Sequence, residues 1–230
     1  MRERRGWFVT GTDTDAGKTV VALGLVAALQ AQGLRVGVQK PVAAGAERHA
    51  GGLRNADASA LLAQSGLELP YGVVNPYCFE PPIAPHIAAA RAGCEIRFAP
   101  ILDALHGIIA VSEVVVVEGA GGWRVPLGPD GDMAALAVAT GLPALLVVGL
   151  KLGCLNHAVL TAESIRSSGA TLAGWVGNVV DPRMAELEAN VATLRELLPA
   201  PCWGVIPRLP EPTPITVAGL LRLPPVVIAA

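Results

Sequence analysis

Short apolar runs of strand length alternate with helical patterns along this chain, and this alternation restricts its fold more than any other feature. The runs that predict strands cover residues 7–10, 35–39, 114–117, 144–148, 172–178 and 203–206. The helical patterns between them cover residues 18–32, 56–64, 132–140 and 156–168, and a glycine closes each one. Continuous apolar strands are typical of parallel sheets that are buried on both faces. We therefore expect an α/β fold, with a doubly wound, mostly parallel sheet and helices on both faces, as in a P-loop NTPase-like three-layer sandwich.

Length and composition favour one large domain over residues 1–230. The chain has 52% hydrophobic and 16% charged residues, which argues against a disordered chain, a coiled coil or a collagen-like fibre. Residues 71–100 are richer in proline and less periodic, so we expect an insertion or a partner-facing surface there. Eight of the 19 prolines accumulate from Pro199 onward, which predicts a peripheral, loop-like end.

Charge and hydropathy exclude several classes of partner. The formal net charge is -2, so the chain has no global positive field to attract nucleic acid or an acidic membrane. No run approaches the ~20 apolar residues of a membrane span. Only three apolar residues follow the N-terminal arginines, so no signal peptide is predicted. The four cysteines are far apart and form no C-x-x-C pair, which favours reduced thiols over a disulfide or zinc framework. We expect a cytoplasmic protein.

The strongest motif follows the first predicted strand. Residues 11–19 read G-T-D-T-D-A-G-K-T, which fits the P-loop pattern G-x-x-x-x-G-K-[ST] between a strand and a helix. In such a loop, backbone N–H groups and the helix N-terminus face the phosphates, and Lys18 adds a charge at the β and γ groups. The hydroxyl of Thr19 would bind magnesium. A nucleoside triphosphate is the expected ligand.

Two carboxylates stand where this topology would bring them to the phosphates. Asp57 opens the second helical pattern, and Glu118 directly follows a run of four valines and precedes a glycine-rich segment. A P-loop magnesium needs carboxylates of this kind. For Asp57, ordinary capping of a helical first turn explains the residue equally well.

Three further polar residues end predicted strands or begin the helix that follows one. Lys40 ends the second strand before Pro41, and a second cation beside a triphosphate suits phosphoryl transfer to another anionic substrate. A solvated lysine at a strand end is the alternative. Asn156 lies where a helix start could bind a carboxylate, or it is a plain N-cap. Asn178 could pair with adenine, or it forms a turn.

Together these segments resemble the dethiobiotin synthetase family over most of the chain. The motifs are T-G-T-D-T-D-A-G-K-T at 10–19, K-P-V-A at 40–43, L-R-N-A-D-A at 53–58, V-N-P-Y at 74–77, P-H-I at 85–87, V-E-G-A-G-G-W at 117–123, K-L-G-C-L-N-H-A at 151–158 and A-G-W-V-G-N at 173–178. The P-loop is shared by many ATPases, whereas the segments 118–123 and 151–158 together are specific to this family.

The resemblance implies an ATP- and Mg²⁺-dependent ligase. In that family 7,8-diaminononanoate and CO2 form a carbamate, ATP phosphorylates it, and the second amine closes the ring to dethiobiotin with release of ADP and phosphate. The family is a homodimer with the substrate between subunits. For nucleotide binding the resemblance implies Asp15, Ala16, Gly17, Lys18, Thr19, Val20, Gly119, Ala120, Gly121, Asn178, Pro207, Arg208 and Leu209. It implies Thr19, Asp57 and Glu118 for the metal, Lys18 and Lys40 for catalysis, and Ala44, Leu152, Gly153, Cys154 and Asn156 for the substrate.

Two positions depart from the family pattern. Ala44 stands where the family usually has serine, which removes a hydroxyl near the substrate. The resemblance also pairs Glu211 with a late acidic residue near the nucleotide, in a stretch interrupted by Pro210, Pro212 and Pro214. The alternatives are a partitioning or iron-protein type ATPase and a nucleotide-sensing module without turnover. The former usually has a second lysine inside the P-loop, which residues 12–16 lack, and the latter would lose Lys40 or the segment at 151–158.

Overall fold

The structure is a computed structural model, and it describes residues 6–225. Its strands are β1 (Gly6–Gly11), β2 (Val36–Gln39), β3 (Val42–Ala44), β4 (Glu47–His49), β5 (Gly52–Arg54), β6 (Tyr77–Phe79), β7 (Val114–Glu118), β8 (Pro126–Gly128), β9 (Gly131–Asp132), β10 (Ala144–Leu150), β11 (Leu172–Val179) and β12 (Cys202–Ile206). Its helices are α1 (Lys18–Gln30), α2 (Ala56–Ser65), α3 (Tyr71–Val74), α4 (Pro85–Arg91), α5 (Phe98–Val111), α6 (Met133–Thr140), α7 (Cys154–Ser167), α8 (Leu187–Leu197) and α9 (Pro214–Ala218).

A six-stranded sheet forms the centre of the molecule, in the order β12-β11-β10-β1-β7-β2. All neighbouring strands in it run parallel. The six predicted strands are the six strands of this sheet, so the predicted topology class is confirmed. The chain visits β2 and β7 on one side of β1 and then crosses to β10 on the other side. The carboxyl end of β1 therefore lies where the strand order reverses, which is where open α/β sheets bind ligands.

Side chains of the central strands alternate between two hydrophobic cores. Phe8 packs into one core with residues of α5, α6, α7 and α8, whereas Trp7 and Val9 pack into the other with residues of α1, α2 and α9. This alternation follows from the two-residue repeat of a strand. Helices therefore cover both faces of the sheet, as the apolar strands predicted.

The C-terminal segment is more ordered than its prolines suggested. β12 forms an edge strand, and α9 packs on α1 with Val217 only 1% exposed. Two of the prolines lie at the beginnings of these elements. Pro214 is the first residue of α9, and Pro201 precedes β12 while its carbonyl accepts a hydrogen bond from the backbone of Trp175. The predicted strand at 203–206 is confirmed as β12, whereas the expectation of a loop-like end was wrong for α9.

Helix α7 begins at Cys154, two residues before the predicted start. Its N-cap is Gly153, whose φ of 93° lies in the left-handed region that favours glycine. Asn156 consequently lies inside the first turn and is not the N-cap. Among residues 6–225, no helix is both long enough and apolar enough to cross a membrane.

Candidate active site

The P-loop connects the end of β1 to the start of α1, as predicted. Gly17 has a φ of 93°, and a Cβ atom there would lie 2.1 Å from the Asn178 side-chain nitrogen. Only glycine fits this position, because both the backbone conformation and the space exclude a side chain. The Nζ atom of Lys18 donates a hydrogen bond of 2.9 Å to the carbonyl of Asp13, so the lysine folds back over its own loop.

Lys18 is a buried cation that forms no ion pair with any carboxylate of residues 6–225. Lys18 is 7% exposed, and none of the salt bridges among the described residues involves it. Burial lowers the pKa of its ammonium group, and the positive charge of Lys40 lowers it further. An anion in the loop would relieve both effects, as a phosphate group does in a P-loop.

A cluster of charges lies beside the loop, at the carboxyl ends of β2 and β7. The Nζ atom of Lys40 donates to Asp57 Oδ2 at 3.0 Å and to Glu118 Oε1 at 2.5 Å. The hydroxyl of Thr19 donates to the same Glu118 oxygen at 2.8 Å. The structure therefore brings together four residues that the sequence placed on four separate segments.

Burial makes this cluster electrostatically strong. The side chains of Lys40 and Glu118 are 5% and 0% exposed, whereas that of Asp57 is 41% exposed. Burial alone would lower the pKa of Lys40, but the charges of Glu118 and Asp57 outweigh it and raise the pKa. For Asp57, partial burial would raise the pKa, and the Lys40 charge and hydrogen bond outweigh it, so the pKa is lowered. Lys40 is therefore a buried, paired ammonium ion, and not a solvated lysine at a strand end.

The carboxylate set fits a magnesium ion completed by phosphate oxygens. Within residues 6–225, the Oε2 atom of Glu118 is buried and has no hydrogen-bond partner. A buried carboxylate oxygen without a partner is costly unless a ligand satisfies it. The described residues contain no group of three or more His, Cys, Asp or Glu side chains that could enclose a metal. This arrangement is typical of magnesium, which proteins hold through one or two carboxylates together with substrate phosphates and water.

A cleft of about 940 Å³ opens over the loop and the charge cluster. The predicted site residues that line it are Asp15, Gly17, Lys18, Thr19, Val20, Lys40, Ala44, Asp57, Glu118, Ala120, Gly121, Asn178 and Arg208. The sequence reasoning did not assign the other lining residues, which are Thr14, Ala43, Asn55, Pro82, Ile83, Ala84, Val125 and Val180. A triphosphate and a small second substrate fit a volume of this size.

Other predicted site residues lie outside the lining of this cleft. These are Ala16, Gly119, Pro207, Leu209, Leu152, Gly153, Cys154 and Asn156. The side chain of Cys154 is buried in the hydrophobic core, so only its backbone could face a ligand. Leu152, in contrast, is 94% exposed at the start of α7, where Gly153 and Asn156 are exposed as well. The substrate residues predicted near α7 therefore do not line the cleft of their own chain.

Asn178 braces the P-loop in this structure. Its side-chain nitrogen donates to the carbonyl of Ala16 at 3.0 Å, and its side chain lines the cleft. The loop is thus tied to the end of β11. The turn-forming role that we considered as the alternative does not describe this contact.

Sequence reasoning also missed an ion pair between the P-loop and the segment before α7. The Nζ atom of Lys151 lies 2.9 Å from Asp13 Oδ2. The hydrogen bond from Lys151 is the main cause that lowers the pKa of Asp13. Both residues belong to motifs quoted above, but nothing in their spacing of more than a hundred residues indicates the pairing. The pair links the phosphate loop to the exposed residues at the start of α7.

Comparisons with known proteins identify the family. A family model described as "AAA domain" matches residues 5–216. The ATP-dependent dethiobiotin synthetase BioD of Pseudomonas paraeruginosa (strain DSM 24068 / PA7) is 53% identical over 220 residues, which cover 95% of this chain and 96% of that protein. The chain belongs to the dethiobiotin synthetase family. A second member of the family, from Aromatoleum aromaticum (strain DSM 19018 / LMG 30748 / EbN1), is 49% identical over 97% of this chain and 100% of its own length.

Solved structures of P-loop ATPases share the fold of this dethiobiotin synthetase family member. A chain of the MinC:MinD cell division protein complex of Aquifex aeolicus superposes with a TM-score of 0.61, covering 94% of this chain and 89% of that chain at 16% identity. A ParA family ATPase from Chlorobium tepidum TLS gives a TM-score of 0.55, covering 90% and 86% at 14% identity. At such low identity the likeness shows the fold alone. The alternative of a partitioning-type ATPase is therefore less supported than the ligase.

Proposed function

We propose that this chain catalyses the ATP-dependent conversion of 7,8-diaminononanoate and CO2 to dethiobiotin, with release of ADP and phosphate. It is an ATP-dependent cyclo-ligase of biotin biosynthesis, and ATP and Mg²⁺ are its cofactors. The family membership supports this activity, and so does the presence of Lys18, Lys40 and the two carboxylates Asp57 and Glu118 in one cleft.

One observation carries the proposal. The cleft holds two buried lysines, of which Lys18 faces the phosphate loop and Lys40 bridges Asp57 and Glu118 beside it. A simple nucleotide switch needs the first lysine only. A second buried cation suits a reaction in which negative charge moves from the nucleotide to another anionic substrate.

Lys18 would bind the β and γ phosphates. Its hydrogen bond to the Asp13 carbonyl would be exchanged for bonds to phosphate oxygens, together with the N–H groups of residues 15–20. Asn178 and Arg208 would lie beside the nucleotide base, with Pro207 and Leu209 of the same segment. Ala16, Gly119, Ala120 and Gly121 would shape the loops around the phosphates.

Lys40 would stabilise the carbamate and its phosphorylated form. Its charge lies in a water-poor part of the cleft, where a fixed cation stabilises developing negative charge more strongly than it does in water. Its raised pKa keeps it protonated, so it acts as a fixed charge and not as a base. Ala44, at the end of β3, would lie next to the diamine.

Thr19, Asp57 and Glu118 would hold magnesium. Bound there, the ion would neutralise charge on the phosphate groups during transfer. The unpartnered Oε2 atom of Glu118 supports this assignment, because the buried oxygen needs a ligand.

We further propose that the active unit is a homodimer. Leu152, Gly153, Cys154 and Asn156 would bind the substrate carboxylate from the neighbouring subunit, through the N-terminus of α7 and its backbone N–H groups. The position of these residues outside the cleft of their own chain supports this arrangement. The four cysteines are unpaired, which supports a cytoplasmic location.

The direct test is a product assay on the purified chain. ATP, Mg²⁺ and bicarbonate are supplied with and without 7,8-diaminononanoate, and phosphate and dethiobiotin are both measured. We expect phosphate release to depend on the diamine and to match dethiobiotin formation in a one-to-one ratio. A rate of phosphate release that does not depend on the diamine, with no dethiobiotin detected by mass spectrometry, would contradict the proposal and favour an ATPase.

A further inference from the structure

The backbone of Lys40 is held by a segment that the proposed chemistry does not use. β2 ends at Gln39, so the sheet no longer organises the chain at Lys40. The N–H group of Lys40 donates to the carbonyl of Val74 at 2.8 Å. Its carbonyl accepts a bond of 2.7 Å from the side-chain nitrogen of Asn75. Both backbone groups of Lys40 are thus bonded to the end of α3.

Asn75 connects this clamp to a tyrosine. The residue is 2% exposed, and its side-chain nitrogen also donates to the carbonyl of Tyr77 at 3.0 Å. Its side-chain oxygen accepts from the hydroxyl of Tyr71 at 3.0 Å. All the hydrogen-bonding capacity of the amide group therefore has fixed partners, except one lone pair of the oxygen.

The tyrosine in turn reaches the helix that carries Asp57. The Tyr71 oxygen accepts a hydrogen bond of 2.7 Å from the backbone N–H of Asn55. Asn55 is the N-cap of α2, and its side-chain oxygen accepts from the N–H of Ala58. An unbroken chain of hydrogen bonds thus joins the backbone under Lys40 to the first turn of α2.

From this network we propose that Tyr71 and Asn75 are positioning residues. They fix the position of the Lys40 ammonium group relative to the Asp57 carboxylate for the chemical step. The inference rests on the proposed function, because it assigns Lys40 to that step. Neither residue lines the cleft, so neither touches substrate.

Two properties of Tyr71 suit it to this role. Burial raises the pKa of its hydroxyl to about 12, so the group stays protonated and donates to Asn75. The Arg54 guanidinium lies 4.2 Å from the centre of the ring, which holds the ring in place. Removing the hydroxyl alone would leave the ring packing intact.

The test compares two variants in which a tyrosine loses its hydroxyl group. Tyr71→Phe breaks the chain of hydrogen bonds. Tyr77→Phe is the matched control, because the Tyr77 hydroxyl accepts a backbone N–H from Arg97 outside this network. We expect Tyr71→Phe to lower kcat for dethiobiotin formation by about tenfold, since small displacements of catalytic groups have effects of this size. The Kd for ATP should match that of Tyr77→Phe, whereas the melting temperature should fall further in Tyr71→Phe, because the buried Asn75 oxygen and the Asn55 N–H then lack a partner.

A second arm asks whether the effect passes through Lys40. The second change is made in a Lys40→Met background, whose slow product formation is followed with labelled bicarbonate. There, Tyr71→Phe should lower the rate of product formation by less than about twofold, because the effects of two residues that act through one another are not additive. Equal kcat for Tyr71→Phe and Tyr77→Phe would overturn the inference, and so would a full tenfold loss in the Lys40→Met background. Failure of the unmutated chain to form dethiobiotin would instead overturn the proposed function and this inference with it.

Discussion

Replacing Lys40 by methionine tests the energetics of the buried charge cluster. Methionine has an unbranched apolar side chain that matches the stem of lysine and lacks the ammonium group. In the variant, Glu118 keeps only the hydroxyl of Thr19 as a partner on Oε1, and its Oε2 atom already has none among the described residues. The carboxylate would then be a buried charge without an ion-pair partner, since Lys18 acts on it through space and not by direct contact.

The exposed fractions of the two carboxylates decide the size of the effect. Asp57 is 41% exposed and regains water, so its loss of a partner contributes little. Glu118 is fully buried, and removing one partner of a buried ion pair costs about 3 to 5 kcal/mol. For a chain of this length, that corresponds to a fall in melting temperature of about 6 to 20 °C.

Equilibrium urea unfolding at neutral pH, without nucleotide or magnesium, measures this loss. Lys151→Met is the matched control, because its pair with Asp13 is 40% and 48% exposed and is expected to contribute less than about 1 kcal/mol. Adding Glu118→Gln to Lys40→Met should restore more than half of the lost stability, since a neutral amide needs no counterion. A loss no greater than that of the control, or no restoration by the second change, would refute the reasoning.

The other predictions concern pH, the phosphate loop, the substrate side of the cleft and the assembly. The pKa of Lys40 is raised in the folded chain, so its contribution to stability is fully present below the ordinary pKa of 10.5 and is lost as pH rises through the higher folded value. The difference in stability between the unmutated chain and Lys40→Met should therefore shrink only at strongly alkaline pH, as measured in unfolding titrations. Gly17→Ala should abolish ATP binding measured by calorimetry, because its Cβ would overlap the Asn178 amide at 2.1 Å, and normal affinity would contradict this geometry. Ala44→Ser should change KM or kcat for the diamine by up to about tenfold with ATP affinity unchanged. A change in ATP affinity alone would show that this residue does not lie next to the diamine. Mixing inactive Lys18→Ala and Asn156→Ala chains should restore some activity if sites form between subunits, whereas no recovery after verified subunit exchange would argue against it.

The fold could be predicted because its central strands are buried on both faces. Residues 114–117 are all valine, and a continuous run of β-branched residues favours a strand that is buried on both faces. Helix α5 (Phe98–Val111) escaped prediction, because Pro100 lies inside its first turn and the preceding segment shows no clear period. The short helices α3 and α4 depend on contacts with distant segments, which local sequence does not reveal.

The candidate site could be predicted where its residues end or follow strands. Glu118 and Lys40 were found in this way, since strand ends of a parallel sheet meet at one edge. Tyr71 and Asn75 were not assigned, because they act through hydrogen bonds to Asn55 and Lys40 across 16 and 35 residues of sequence. The segment before α7 matched the family motif, but its residues lie outside the lining of the cleft of their own chain, so their role rests on the proposed dimer.

The pairing of Lys40 with Asp57 and Glu118 has a consequence for how the binding of one ligand changes the affinity for another. A cation that takes the two carboxylates would free the ammonium group for an anion, and an anion that takes the ammonium group would free the carboxylates for a cation. Each ligand would therefore raise the affinity for the other by the same factor, as linkage requires. Metal and acidic substrate should be recognised as a pair, and either one alone should bind weakly at this point of the cleft.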